Sequence, residues 1–171
     1  MSIFLTGYRG SGKTTVGRKL ADRLWQEFVD CDDLIVRKAG KSIREIFAEH
    51  GEPHFRDLEA QAVSEAARLE DHVIALGAGA MMRDENRAAI IAGHHKVIYM
   101  RCEPEELHRR ISGDAGTSDN RPALTTLGGN LDEIKTLLTQ REPIYRSAMT
   151  AELDVTHLTP DEAVIYIVRL L

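Results

Sequence analysis

Hydrophobic positions along this chain recur with two periods, and the periods alternate. Ile3-Phe4-Leu5-Thr6 is a short run ending at Gly7, a buried strand by its length and flanks. Between Lys13 and Trp25, apolar Val16, Leu20, Ala21 and Leu24 fall three to four residues apart, the stripe of an amphipathic helix. Phe28 to Cys31 predicts a second strand. Asp33 to Lys38 and Ser42 to His50 predict two short helices, with Ser42 and Glu45 in capping-box spacing. Gly51 and Pro53 punctuate the chain before a helix over Phe55 to Leu69. His72 to Leu76 reads as a strand that exits through the small residues Gly77-Ala78-Gly79-Ala80. A helix over Arg83 to Ala92, a strand over Lys96 to Met100 and a proline-started helix over Pro104 to Ile111 follow. Asn130 to Ala148 is helical, and Pro143 is expected to kink it or open a new turn. Leu153 to Thr156 is a last strand, and Asp161 to Leu170 a final helix with Thr159 as N-cap and Pro160 in its first turn. Strands alternating with helices imply a parallel sheet covered on both faces. The prediction is one doubly wound α/β domain over residues 1–171.

One stretch breaks the pattern. Ser112 to Pro122 is polar and aperiodic, and a loop of that composition inside a compact domain is usually functional. Composition narrows the class further. Hydrophobic residues are 43% and charged residues 29% of the 171, which excludes a disordered, collagenous or membrane-spanning chain. The 22 basic against 27 acidic residues give a net −5, which argues against a protein that neutralises duplex phosphates. A small anionic ligand held by a few local cations stays compatible with that balance. Cys31 and Cys102 are far apart and lack metal-type spacing, so two buried thiols are expected rather than a disulfide or a zinc site. The first residues carry no basic region, and the apolar run there is too short for a signal peptide. The longest strictly apolar stretch, Ala163 to Val168, is far below a membrane span. A cytoplasmic protein is expected, and in the absence of a heptad seam a monomer.

Gly7-Tyr8-Arg9-Gly10-Ser11-Gly12-Lys13-Thr14 satisfies the Gly-x-x-x-x-Gly-Lys-Ser/Thr phosphate loop at every fixed position, between a strand and a helix. Its glycines let successive amides point at phosphate oxygens, and the helix N-terminus adds positive potential. Gly10, Ser11, Gly12, Lys13, Thr14 and Thr15 are therefore the expected nucleotide contacts. Lys13 reaches the β- and γ-phosphates, and the Thr14 hydroxyl binds the single Mg²⁺ that accompanies ATP. A dinucleotide fingerprint fails because Thr15 stands where glycine or alanine is needed. No Asn-Lys-x-Asp segment reads guanine. Asp30 and Asp32 close the second strand, where ligands of open α/β sheets bind. One carboxylate can support hydrated Mg²⁺ and the other accept the proton of an attacking hydroxyl. An N-cap role for Asp32 is the plainer alternative.

These residues, with Phe55-Arg56 and Glu59, the exit at Gly77, Arg121-Pro122 and Arg141-x-x-x-Tyr145, occur in the order found in shikimate kinases, and the resemblance spans nearly the whole chain. It implies transfer of the γ-phosphoryl group of ATP to the 3-hydroxyl of shikimate, in aromatic amino-acid biosynthesis. The implied fold is of the nucleoside-monophosphate-kinase type: a five-stranded parallel sheet, a substrate-binding helical region near residues 32–60 and a lid near 112–123. By the same resemblance Arg56 and Arg141 grip the substrate carboxylate, a task that suits guanidinium forks. Asp32 orients or deprotonates the attacking hydroxyl, Asp30 belongs to the Mg²⁺ shell, and the backbone at Gly77, Ala78 and Gly79 approaches the substrate. Arg121 is carried to the transferring phosphate as a catalytic and nucleotide-binding residue. Adenine falls to Arg109 or Arg110, or to the loop from His157 to Pro160.

Plainer readings stand beside these: Arg56 paired with Glu59, Arg141 with a neighbouring acid, Arg121 solvated, and Tyr145 a packing residue. The family usually has a third glycine where this chain has Ala78, so Ala78 is expected at an ordinary, negative φ. A gluconate-type sugar-acid kinase is the nearest alternative activity, and a non-catalytic nucleotide-binding module the alternative from another class.

Overall fold

Five strands, Ile3–Thr6 (β1), Glu27–Asp30 (β2), His72–Ala75 (β3), Lys96–Arg101 (β4) and Ala151–Asp154 (β5), form one parallel sheet in the order β2-β3-β1-β4-β5. They belong to a computed structural model that describes residues 1–113 and 130–171. Seven helices are described: Lys13–Leu24 (α1), Cys31–Ala39 (α2), Ile43–Ala66 (α3), Asp84–Ala92 (α4), Pro104–Gly113 (α5), Leu131–Ala148 (α6) and Pro160–Leu170 (α7), with a 3₁₀ turn at Ala80–Met82. None of them is long and apolar enough to cross a membrane.

Alternate strand residues serve opposite faces, as the pleat requires. Ile3, Leu5, Val73, Ile98 and Met100 join Val16 and Leu20 of α1 and Val164 and Ile167 of α7 in one core. Phe4, Ile74, Val97 and Tyr99 join Val63 of α3, Ile90 of α4 and Tyr145 of α6 in a second. Burial on both faces is why these strands read as unbroken apolar runs. Each such side chain taken fully out of water stabilises the fold by about 1.5–3 kcal/mol. A third, smaller core of Ile35, Ile43, Ile46, Phe55 and Ala62 lies under α2 and α3.

Several boundaries differ from the periodicity. α2 begins at Cys31 because the Asp30 side chain accepts from the Asp32 amide at 3.0 Å, so the N-cap is Asp30 and not Asp32. α3 opens with the expected capping box of Ser42 and Glu45, and Gly51 (φ 79°, ψ 175°) breaks it in two where punctuation was read. α6 runs through Pro143 without a new turn. Pro143 and Thr139 both lie on the solvent side, so the carbonyl that loses its amide partner faces water. α5 continues to Gly113, into the stretch read as loop. β5 lies two residues earlier than its apolar run: at the sheet edge, half-buried Ala151 and Glu152 pair with Ile98 and Tyr99. α1 ends on Trp25, which adopts a left-handed conformation (φ 56°) and is 95% exposed.

Register aligns the carboxyl ends of the strands. Leu5 and Asp30 both pair with Ala75, and Thr6 pairs with Tyr99. The loops after β1, β2 and β3 therefore emerge side by side, at the edge where open α/β sheets bind ligands.

Candidate active site

The loop after β1 follows from its glycines. Gly7 (φ 146°), Gly10 (φ 83°) and Gly12 (φ 90°) all lie where L side chains are strained, and a Cβ on Gly7 would sit 2.6 Å from the Met100 carbonyl oxygen. Gly12 N-caps α1, so Lys13 and Thr14 occupy its first turn. The Lys13 ammonium donates to the carbonyls of Gly7 and Tyr8, each at 2.9 Å, folded over its own loop. The Thr14 hydroxyl donates to Asp30 Oδ2 at 2.8 Å, while Oδ1 of the same carboxylate caps α2. Asp30 is thus held from two sides, with a hydroxyl and a carboxylate oxygen adjacent, the hard oxygen set that suits Mg²⁺.

Three clefts lie along this edge. The first, about 470 Å³, is lined by Gly10, Gly12, Lys13, Thr14, Thr15, Asp30, Asp32, Gly77 and Ala78. The second, about 540 Å³, opens from Ser11 toward α5 and the β5–α7 loop, between Arg109 and Arg110 on one side and His157 to Pro160 on the other. Here the two arginines differ. Arg110 donates to the carbonyls of Val155 (3.0 Å) and Thr156 (3.2 Å) and to Glu106 (2.7 Å), tying the cleft walls together. Arg109 is largely exposed and among the described residues pairs only with Glu106, and these two arginines hold the Glu106 carboxyl down at about 2.

The third cleft, about 440 Å³, contains Arg56, Glu59, Gly79, Arg83 and Arg141. Ala78 faces the first cleft and Gly79 the third, so the exit from β3 is the wall between phosphate loop and arginine pocket. Arg56 donates through Nη1 to Glu59 at 2.7 Å and through Nε and Nη2 to exposed Glu52. The plain pairing with Glu59 therefore exists, but it is internal, since Glu59 is 2% exposed. Burial raises the Glu59 carboxyl above its usual range, and the charges of Arg56 and Arg141 oppose that rise. Arg141 is 7% exposed, lies 5.7 Å from the Tyr8 ring centroid, and has a buried Nη1 with no hydrogen-bond partner among the described residues. Two guanidinium groups against one buried carboxylate leave the pocket positive, an arrangement that accepts an organic anion.

Ala78 has the expected negative φ: among the described residues only Trp25, Asp71 and His94 are non-glycine residues at positive φ. A methyl there costs nothing, whereas a Cβ on Gly79 would overlap the Arg56 guanidinium. Arg121 lies outside the described residues. Gly10 to Thr15, Asp30, Asp32, Arg56, Glu59, Gly77 to Gly79, Arg109, Arg110, Arg141 and His157 to Pro160 line these clefts, whereas Phe55 and Tyr145 are packed inside the protein. Sequence reasoning offered the Arg56–Glu59 pair only as a plainer alternative and missed that it is buried, and it missed the strut made by Arg110. Only Glu59 left a signal, three residues after Arg56 and three before buried Ala62.

Comparison with known proteins agrees with this geometry. Residues 9–171 match the family model for shikimate kinase. The chain is 44% identical over 160 residues to a shikimate kinase from Rhodopirellula baltica, covering 94% of this chain and 84% of that one. The solved shikimate kinase from Acinetobacter baumannii in complex with shikimate superposes with a TM-score of 0.90 at 32% identity, covering 99% of this chain and 91% of that one. A gluconokinase from Sinorhizobium meliloti superposes with a TM-score of 0.61 at 15% identity over 99% of this chain and 90% of that one, a likeness of fold alone.

Proposed function

Because the chain belongs to the shikimate kinase family, transferring the γ-phosphoryl group of ATP to the 3-hydroxyl of shikimate, we propose a division of labour among its three clefts. The triphosphate lies in the first, its oxygens met by loop amides and the N-terminus of α1. Lys13 exchanges the carbonyls of Gly7 and Tyr8 for the β- and γ-phosphates. Thr14 and Asp30 hold Mg²⁺, which when bound neutralises charge on the β- and γ-oxygens. Adenine occupies the second cleft, against the wall that Arg110 secures. The acid end of shikimate, the ligand of the Acinetobacter enzyme, enters the third and is gripped by Arg56 and Arg141.

In the transfer, the 3-hydroxyl oxygen forms a bond to Pγ, the Pγ–O bond to the β-phosphate breaks, and the hydroxyl proton passes to Asp32. Arg121, carried by the family resemblance, stabilises charge on the transferring group. Residues 32–60, with their own small core, serve as the substrate region, and residues 112–123 as the lid. The enzyme acts as a cytoplasmic monomer, a setting that suits two free, buried cysteines.

The carrying observation is the buried Nη1 of Arg141, without a hydrogen-bond partner among the described residues, in a pocket that shares a wall with the phosphate loop. A coupled ADP-release assay over shikimate, quinate, gluconate and simple alcohols tests the reading. Shikimate should drive turnover, and ADP release indifferent to shikimate would refute it. Arg56→Ala should raise the shikimate KM about 10- to 100-fold, the worth of one charge-assisted contact, with the ATP KM nearly intact. Equal loss of both affinities would make Arg56 a structural residue.

A further inference from the structure

The Arg141-x-x-x-Tyr145 spacing contains a residue that the reaction as described leaves idle. Tyr145 is fully buried, and its ring packs on that of Tyr99 with centroids 5.0 Å apart. Packing alone would be served equally by phenylalanine. The hydroxyl, however, donates to the Ala78 carbonyl at 2.6 Å, across 67 residues of sequence and inside the protein. We propose that Tyr145 is a positioning residue for the substrate carboxylate pocket, acting through the peptide that joins Ala78 to Gly79.

That peptide is planar, so its carbonyl and the Gly79 amide point in opposite directions and fixing one fixes the other. Gly79 is also the surface against which Arg56 rests, since a Cβ there would overlap the guanidinium. On the other side, Tyr145 stands four residues after Arg141, on the same face of α6. One hydroxyl therefore sets the distance between the helix that carries Arg141 and the loop that backs Arg56. Without it the Ala78 carbonyl, buried and lacking its donor, would drive the loop to seek another partner. The spacing of the two guanidinium groups would loosen, and a rigid carboxylate would be the ligand that feels it.

The proposal rests on the assignment of Arg56 and Arg141 to the substrate carboxylate, and the test separates the two. Tyr145→Phe is compared with Tyr99→Phe, which removes a hydroxyl from the partner ring, one bonded to Glu142 at 3.1 Å and not to the loop. KM for shikimate, KM for ATP, kcat and Tm are measured for both, with Arg56→Ala alongside. Tyr145→Phe should raise the shikimate KM roughly tenfold, as expected for one lost buried hydrogen bond. The ATP KM should stay within about twofold, marking a loss confined to substrate binding. Tyr99→Phe should lower Tm comparably and leave the shikimate KM in place. A shikimate KM that Tyr145→Phe does not move, or moves no more than Tyr99→Phe at equal Tm loss, overturns the positioning role. If Arg56→Ala also leaves KM unmoved, the carboxylate assignment has failed and the proposal falls with it.

Discussion

Gly79 acts by what it lacks. Its φ of −96° suits alanine as well as glycine, so its backbone gives no reason for the missing side chain. The reason is the Arg56 guanidinium that fills the space. Gly79→Ala should therefore raise the shikimate KM roughly tenfold by displacing one charge-assisted contact, with little change in Tm. Parallel kinetic and melting measurements check this, and a large Tm loss with unchanged KM would show the space to be structural. Ala78, one residue earlier, carries its methyl without strain, so adjacent positions of one loop obey different constraints. Such constraints limit what is legible in a sequence. Gly7 to Thr14 can be read directly because the loop's function depends on eight consecutive residues. The bond from Tyr145 to Ala78 cannot, because neither residue carries a local mark of the other.

Element boundaries divide along the same line. Where a helix is set by its own residues, as at Ser42 with Glu45 or Thr159 with Glu162, the sequence places its start correctly. Where a side chain answers to a distant partner, periodicity misses. Asp30 caps α2 while bonded to Thr14 of α1, and β5 is defined by pairing with β4 rather than by its own apolar run. The break in α3 combines both kinds. Gly51 holds φ 79° with, among the described residues, only the Pro53 ring near its would-be Cβ, at 3.7 Å, so alanine there meets backbone strain and no clash with them. With ψ at 175° this is a conformation essentially confined to glycine, so Gly51→Ala should cost about 1–3 kcal/mol. For a domain of this size that lowers Tm by roughly 2–12 °C. The half of α3 that carries Arg56 starts just beyond this hinge, so the shikimate KM should rise while the ATP KM holds. Calorimetry and steady-state kinetics on the variant decide it; a matched rise in both KM values would locate the damage elsewhere.

Across the whole molecule, charge is distributed against its own average. Of 22 basic residues, Lys13, Arg56, Arg121 and Arg141 are assigned to anion handling, which leaves 18 against 27 acidic ones. The total argues against a duplex reader and conceals a cationic cleft. Within it, the pocket of Arg56 and Arg141 has one buried acid among the described residues, Glu59, whose burial raises its carboxyl above the usual 4.5. A folded-state value above the unfolded one adds stability that is complete below the unfolded pKa and fades as pH rises through the folded pKa. Substrate binding follows the opposite sign, because only the ionised carboxylate holds Arg56 as a full ion pair. The shikimate KM should climb as pH falls through the raised Glu59 value, starting above pH 4.5. Glu59→Gln should flatten that acid limb and reduce the pH dependence of Tm in the same window. An acid limb unchanged in the variant would rule Glu59 out as its source. Trp25 carries a practical consequence of another kind. It is the chain's single tryptophan, and it already stands in water at the end of α1. Its emission starts from a hydrated state, so unfolding leaves it little further to shift. Intrinsic fluorescence is thus a nearly silent reporter of this fold, and helix ellipticity is the signal by which its melting is best followed.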